Sequence, residues 1–162
     1  MGVIEVSTPV MLVDDLVRFI QQVVKDRPME NRNNEIAEVL VYDDELPSKR
    51  PNETDYPCVI VRFIYMENTI ARVDIIGGVH SMQKGWRDVL NLLTPIQQAL
   101  LKTPSVAKRH RMSKAHPMKL VLPPEQATPQ YLAAIETYWE MPMVTLEQNK
   151  INAEMEAFLR GE

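Results

Sequence analysis

The sequence predicts an α+β fold, in which a mostly antiparallel sheet of four or five strands is packed by two main helices. Two amphipathic helical patterns flank a strong pair of strand patterns, and two further strand patterns follow the second helix. The chain has 162 residues, a length that suits one domain, and its content of 45% hydrophobic and 25% charged residues is typical of globular proteins. We therefore expect one domain over residues 1–144, followed by a C-terminal helical extension over 145–162.

The first helix is predicted to begin at Pro9, because proline suits the first helical position and Ser7 or Thr8 can cap the helix before it. Asp14 and Asp15 lie near its start, where the helix dipole favours negative charge. Apolar residues then recur at three- and four-residue spacing and predict one buried stripe, formed by Val10, Val13, Leu16, Val17, Ile20 and Val24.

A strand pattern over Ile36–Tyr42 follows, and after it the segment Asp43–Tyr56 has no periodicity and contains two prolines. A loop of this length is unusual in a compact domain, so we treat it as a candidate functional segment. Asp43, Asp44 and Glu45 are consecutive at its start. Such a run in a proline-bounded loop is most simply a solvated acidic surface.

The strongest strand patterns are Cys58–Tyr65 and Ile70–Ile76, and they predict a hairpin with a tight turn around Glu67 and Asn68. Each strand has an apolar face, formed by Val59, Val61 and Phe63 in the first and by Ala71, Val73 and Ile75 in the second. Both faces can be buried together only if opposed residues have the same parity, which requires an odd-numbered loop. We therefore expect a three-residue turn.

The other face of this hairpin is half polar. Arg62 and Asp74 lie on it, and a cross-strand contact between them is expected. Gly77 and Gly78 are expected to end the second strand. The sequence lacks the lysine and the hydroxyl residue that a phosphate-binding loop has at fixed positions after its glycines. We therefore interpret these glycines as a turn of the backbone between strand and helix.

A long helix is predicted over Met82–Lys102, with a kink but no break at Pro95. Its expected buried stripe consists of Trp86, Val89, Leu90, Leu93, Ile96, Leu100 and Leu101. Strands are predicted at Met118–Leu122 and Leu132–Met141. A last amphipathic helix is predicted over Leu146–Leu159.

The sequence offers no constellation for catalysis or metal binding. His80, His110 and His116 are isolated and form no pair at ligand spacing, and Cys58 lies in an apolar strand, where a buried inert thiol is the simpler interpretation. The carboxylates in the last predicted strand are explained by a solvent-exposed face of the sheet and do not require a catalytic role. No apolar stretch reaches the length of a membrane span. We therefore expect no enzyme, no cofactor, no metal and no membrane partner.

The net charge of −4 conceals a segregation of charge along the chain. The stretch Val89–Pro124 contains no acidic residue and six of the 18 lysines and arginines, so its net charge is +6 and that of the remainder is −10. The basic segment Lys102–Lys119 is the sharpest local feature; its cations include Lys108, Arg109, Arg111 and Lys114. A protein partner or second copy, a solvated loop, and nucleic acid are three readings that stay open, although the segment has no aromatic residue to stack on a base.

Three stretches together resemble a known family: Tyr56–Phe63 (YPCVIVRF), Gly85–Asn91 (GWRDVLN) and Ile135–Pro142 (IETYWEMP). In that order and with those separations they are similar to the tail terminator, or tail completion, proteins of long-tailed bacteriophages and phage tail-like particles. The resemblance covers about Thr8–Val144. It implies a sheet flanked by helices, assembled as a hexameric ring that caps the head-proximal end of the tail tube, ends tube polymerisation and joins the tail to the neck.

The resemblance also implies the partners and the location. They are further copies of the chain, the tail tube protein, the head–neck connector protein and, in a contractile tail, a sheath protein; genome DNA would pass through the ring without specific binding. The chain would be a virion protein assembled in the host cytoplasm. Another neck protein, such as a head-completion or stopper ring, is the alternative, and a nucleic-acid-binding module a more distant one.

Candidate contact residues follow from the charges and the hairpin turn. They are Lys108, Arg109, Arg111 and Lys114 on the basic segment, Asp43, Asp44 and Glu45 on the acidic loop, and Glu67 and Asn68 at the turn. A ring requires unlike surfaces on one subunit, which these charges supply. Reversing Lys108, Arg109 and Arg111 to glutamate is expected to impair assembly or docking to the neck while the monomer stays folded.

Overall fold

Each of the two main helices precedes a run of strands in the computed structural model, which describes residues 8–30, 36–44, 56–103, 105–141 and 154–161. Three helices lie in these ranges: α1 (Pro9–Val24), α2 (Gly85–Lys102) and a short α3 at 154–159. The strands are β1 (Met29–Glu30), β2 (Ile36–Ala37), β3 (Leu40–Asp43), β4 (Cys58–Glu67), β5 (Ile70–His80), β6 (Ser105–Val106), β7 (His110–Met112), β8 (Lys119–Val121) and β9 (Gln130–Glu140).

Seven of the described strands form one sheet in the order β3-β4-β5-β9-β7-β6, in which β8 also pairs with β9. Among the described strands of this sheet, β3 and β4 pair in parallel and the other pairs are antiparallel. The predicted single α+β domain is confirmed, with a curled sheet. The sheet is larger than four or five strands because the basic segment contributes β6 and β7, which are too short to show a period.

Both main helices pack on one face of this sheet and enclose the core. Thr8 caps α1 as predicted, since its Oγ1 accepts a hydrogen bond from the backbone N–H of Met11 at 3.2 Å. The buried stripe of α1 differs from the prediction, because Leu12 and Asp15 are buried whereas Val10 is 69% exposed. The helix is therefore rotated relative to the predicted stripe, which places one carboxylate against the core.

The β4–β5 hairpin does not have the predicted three-residue turn. Its loop has two residues, since Glu67 pairs with Ile70, and a β-bulge between Phe63 and Tyr65 shifts the register. Val61 still lies opposite Ile75 and both are buried, whereas Phe63, the third residue of the predicted apolar face, is 39% exposed. The prediction of the turn was wrong because the extra residue lies within the strand and not in the loop.

Three further details of β5 correct the sequence-based expectations. The strand continues through Gly77 and Gly78 to His80, and a Cβ at Gly77 would lie 2.8 Å from Leu93 Cγ of α2. These glycines therefore permit close packing and do not end the strand. Arg62 and Asp74 are opposed in register, but no contact is found between their charges; Asp74 pairs with Arg72, with 3.0 Å between Nε and Oδ1.

The helical predictions hold in position and differ in detail. α2 passes through Pro95 unbroken but begins at Gly85, and of its predicted stripe Trp86 and Leu101 are exposed while Leu92 is buried. The predicted strand over Ile36–Tyr42 is divided into β2 and β3. Of the predicted helix over 146–159, the part before residue 154 lies outside the described residues.

Candidate interaction surfaces

The basic segment is anchored to α1 through a buried carboxylate. It turns between β6 and β7 with Ala107 and Lys108 at positive φ, and Asp15 receives the two residues that follow. Arg109 donates to Asp15 Oδ2 through both Nε and Nη2 at 2.8 Å, and His110 Nε2 lies 2.7 Å from the same oxygen. The Asp15 side chain is only 3% exposed. This buried anchor fixes the hairpin against α1.

The surroundings of Asp15 determine its charge state. Burial by itself raises the pKa of the Asp15 carboxyl, but hydrogen bonds from Arg109 and His110, together with their charges, outweigh it and hold the pKa below the ordinary value of 3.8. Arg18, one turn further along α1, adds a contact of 3.1 Å to Oδ1. The carboxylate is therefore ionised, and its contacts are made within the subunit.

The anchor divides the cations of the basic segment into two groups. Arg109 is committed to Asp15, whereas Lys108, Arg111 and Lys114 are exposed. Arg111 lies opposite Glu140 in the β7–β9 register. The expectation that reversing Arg109 leaves the monomer folded is therefore revised, because a glutamate there would face the buried Asp15 carboxylate. Of the four candidate contact cations, Lys108, Arg111 and Lys114 remain accessible to another molecule.

The described acidic candidates, Asp43 and Asp44, lie at the end of β3, which is at the other end of the strand order from β6. Asp43 is the last residue of β3 and is exposed, and Asp44 follows it at a φ of 62°. The backbone of Asp44 is held firmly, since its N–H donates to Val61 O and its carbonyl accepts from Arg62 Nε, both at 2.8 Å. Glu45 lies outside the described residues. The carboxylates of Asp43 and Asp44 thus project from a fixed sheet edge.

The turn candidates Glu67 and Asn68 lie at an exposed hairpin tip. Asn68 adopts a φ of 54°, a left-handed conformation that asparagine tolerates better than most residues. Next to the tip, four consecutive large side chains of β4 are exposed: Phe63, Ile64, Tyr65 and Met66. The last β3–β4 pair is Asp43 with Val61, so the described part of β4 beyond it pairs only with β5. The tip is therefore an apolar strand edge with a polar end.

His116, Arg72 and Glu136 make side-chain contacts within the subunit. His116 Nδ1 lies 3.2 Å from Ser113 Oγ, and its ring lies against Tyr138. On the open face of the sheet, Arg72 Nη2 lies 3.4 Å from Glu136, so that carboxylate belongs to a surface ion network. Within the described residues, no group of three histidine, cysteine, aspartate or glutamate side chains is placed to hold a metal ion.

The sequence pattern missed Asp15, the central residue of the anchor. A signal for it existed, because Asp15 lies three residues after Leu12 and therefore borders the apolar stripe of α1. A lone carboxylate on that side requires a buried partner, and the adjacent Arg109 and His110 are the pair that supplies it. The sequence alone could not join positions so far apart in the chain.

Comparisons with known proteins add no family assignment. The chain matches no protein-family model, and no curated protein matches it in sequence. None of the helices in the described ranges is both long and apolar enough to cross a membrane.

Proposed function

We propose that this chain is a structural subunit of a phage tail or tail-like particle, a tail terminator that assembles into a ring. The ring caps the head-proximal end of the tail tube, ends tube polymerisation and joins the tail to the head–neck connector. It consists of six copies, contacts a sheath protein where the tail is contractile, and lets genome DNA pass without specific binding. The subunit belongs to the virion, is assembled in the host cytoplasm and is not an enzyme.

One observation carries this proposal: exposed charges of opposite sign lie at the two ends of the strand order of one sheet. Asp43 and Asp44 lie at the end of β3, and Lys108, Arg111 and Lys114 lie on and beside the β6–β7 hairpin. Head-to-tail contacts between identical subunits require two unlike, complementary surfaces on each copy. An acidic edge that meets the basic edge of the next copy satisfies this requirement.

The rigidity of both edges supports the same function. The Asp15 anchor fixes the basic hairpin, and the hydrogen bonds of Asp44 to Val61 and Arg62 fix the acidic edge. A contact made by pre-organised side chains loses less conformational entropy on association than one made by a flexible loop. Surfaces of this kind suit permanent assembly.

The mass of the purified full-length chain, measured by native mass spectrometry, tests the proposal. We expect a closed oligomer of about six times the 18.6 kDa chain, either alone or after addition of tail tubes. A chain that is monomeric in solution and on tubes would contradict the proposal.

Charge-reversal variants test the edge contact itself. Lys108→Glu/Arg111→Glu should weaken assembly at low salt, and Asp43→Lys in the same chain should restore part of it. Lys25→Glu, an exposed cation at the end of α1, is the control and should assemble normally. Normal assembly of the double reversal would exclude these edges as the contact.

A further inference from the structure

An apolar groove lies between the end of α2 and the segment that follows β7. Its volume is about 360 Å³, within the range of sites that accept bulky apolar groups. The lining residues are Gln97, Leu100, Leu101, Met112, Ser113, Lys114, Pro117 and Met118. Leu101 is 67% exposed at the groove, and the exposed Lys114 adds a positive charge. The groove is therefore apolar inside and basic at its rim.

α3 has the complementary character. Met155, Phe158 and Leu159 follow one another at helical spacing, and all three are exposed, Phe158 to 81%. Glu154 and Glu156 are exposed on the same short helix. An amphipathic helix of this kind buries its apolar side chains in a groove of a partner. Its negative charges suit a groove with a basic rim.

We propose that α3 of one copy inserts Phe158 and Leu159 into this groove of a second copy, with Glu154 and Glu156 near Lys114. The proposal rests on the function proposed above, namely that copies of this chain assemble, and it adds a specific contact. Each subunit then gives a helix to one neighbour and receives a helix from the other, a head-to-tail arrangement that closes into a ring.

The connection to α3 is long enough for this exchange. β9 ends at Glu140, Met141 donates its N–H to Thr69 O at the hairpin tip, and residues 142–153 separate this point from α3. Twelve residues span up to about 40 Å when extended. A chain of this size has a radius of gyration of roughly 15 Å. Within the described residues both the helix face and the groove are exposed, and the acidic residues of α3 match the basic rim, so we assign a second copy as the occupant.

Crosslinking between two single-cysteine variants tests the contact. The natural Cys58 is buried, so a short bismaleimide should react only with the introduced cysteines. Leu101→Cys and Leu159→Cys proteins, mixed in equal amounts, should give covalent dimers. Val10→Cys mixed with Leu159→Cys is the control, because Val10 is equally exposed but lies on α1. We expect at least a fivefold higher dimer yield from the first pair.

Two results would overturn the contact. A Leu101→Cys/Leu159→Cys double variant that links only within one chain, with no gain of mass, would place the helix on its own subunit. Equal dimer yields from the test and control pairs would exclude the groove as the binding site of α3. The mass of the unreacted wild-type chain distinguishes failure of this contact from failure of the proposed function. If the chain forms a ring but the crosslink is absent, only the contact is refuted. If the chain stays monomeric, both the contact and the proposed function are refuted.

Substitutions on the helix give an independent readout. Phe158→Ser/Leu159→Ser should raise the dissociation constant for assembly at least tenfold, whereas Val10→Ser should leave it unchanged. Lys114→Glu should weaken assembly by a smaller factor, and Glu154→Lys in the same chain should recover part of the loss. Unchanged dissociation constants for the helix variant would contradict the insertion.

Discussion

Replacing Asp15 by asparagine tests whether the buried anchor holds the basic hairpin on α1. Asparagine keeps the shape of the side chain but removes the charge that faces Arg109 and His110. Breaking a buried ion pair costs about 3–5 kcal/mol. The Arg109 side chain is 33% exposed, so water screens part of its share, while His110 is fully buried. We therefore expect Asp15→Asn to lower the free energy of unfolding by about 2–4 kcal/mol, a large part of the roughly 5–15 kcal/mol of a typical domain.

Urea denaturation measures this loss. The midpoint should fall while the slope of the unfolding free energy against urea concentration stays the same, because the amount of surface exposed on unfolding does not change. Asp14→Asn is the matched control, since Asp14 is the preceding residue of α1 and is exposed. That variant should remain within about 0.5 kcal/mol of the wild type. An Asp15→Asn protein as stable as the Asp14→Asn protein would refute the anchor.

The pH dependence of the same difference gives a second check. The pKa of Asp15 is lower in the folded chain than its ordinary value of 3.8, so the ionised carboxylate stabilises the fold above that value. This stabilisation is lost as the pH falls through the folded-state pKa. The stability gap between wild type and Asp15→Asn should therefore shrink below about pH 4. A gap that widens on acidification would contradict the assignment.

Three other substitutions test local features of the fold by urea denaturation. Thr8→Ala removes the cap of α1 and should cost about 1 kcal/mol, and no loss would show that the cap contributes nothing. Gly85→Ala places a methyl group against the Tyr131 ring and should cost about 1–3 kcal/mol, with recovery in Gly85→Ala/Tyr131→Ala. Asn68→Val strains a left-handed turn residue and should cost about 1–2 kcal/mol, whereas Asn68→Gly should be neutral.

The parts of the fold that the sequence predicts are those with a clear period. The spacing of apolar residues locates α1, α2, β4, β5 and β9. A residue that packs against the core recurs every two residues in a strand and every three to four residues in a helix. The N-cap at Thr8 follows from local chemistry alone. By contrast, β6 and β7 have two and three residues, too few to show any period.

The bulge at Phe63–Tyr65 illustrates a different limit. The parity argument correctly required that Val61 and Ile75 face the same side, but a bulge and an odd-numbered loop satisfy that requirement equally well. The choice between them depends on how β4 packs and pairs beyond Val61, where β3 no longer accompanies it. Local sequence contains no information about that neighbour.

The candidate contact residues show the same difference between features that local sequence reveals and features that depend on distant contacts. Composition and charge runs identified the basic segment as distinctive, and its exposed cations Lys108, Arg111 and Lys114 keep that role as a proposal. The commitment of Arg109 to Asp15 depends on a contact between residues 94 positions apart. Such a pairing arises only when the hairpin folds back on α1, so a reading of the basic segment alone could not find it.

The location of this chain in an assembled particle tests the central claim most directly. Cryo-electron microscopy of tails in which the chain carries a small N-terminal tag should show a closed ring of tagged subunits at the head-proximal end of the tube. Density for several copies at that end, with tubes of uniform length, is the predicted result. Tags on the head side of the neck, along the tube, or absent from the particle would contradict it.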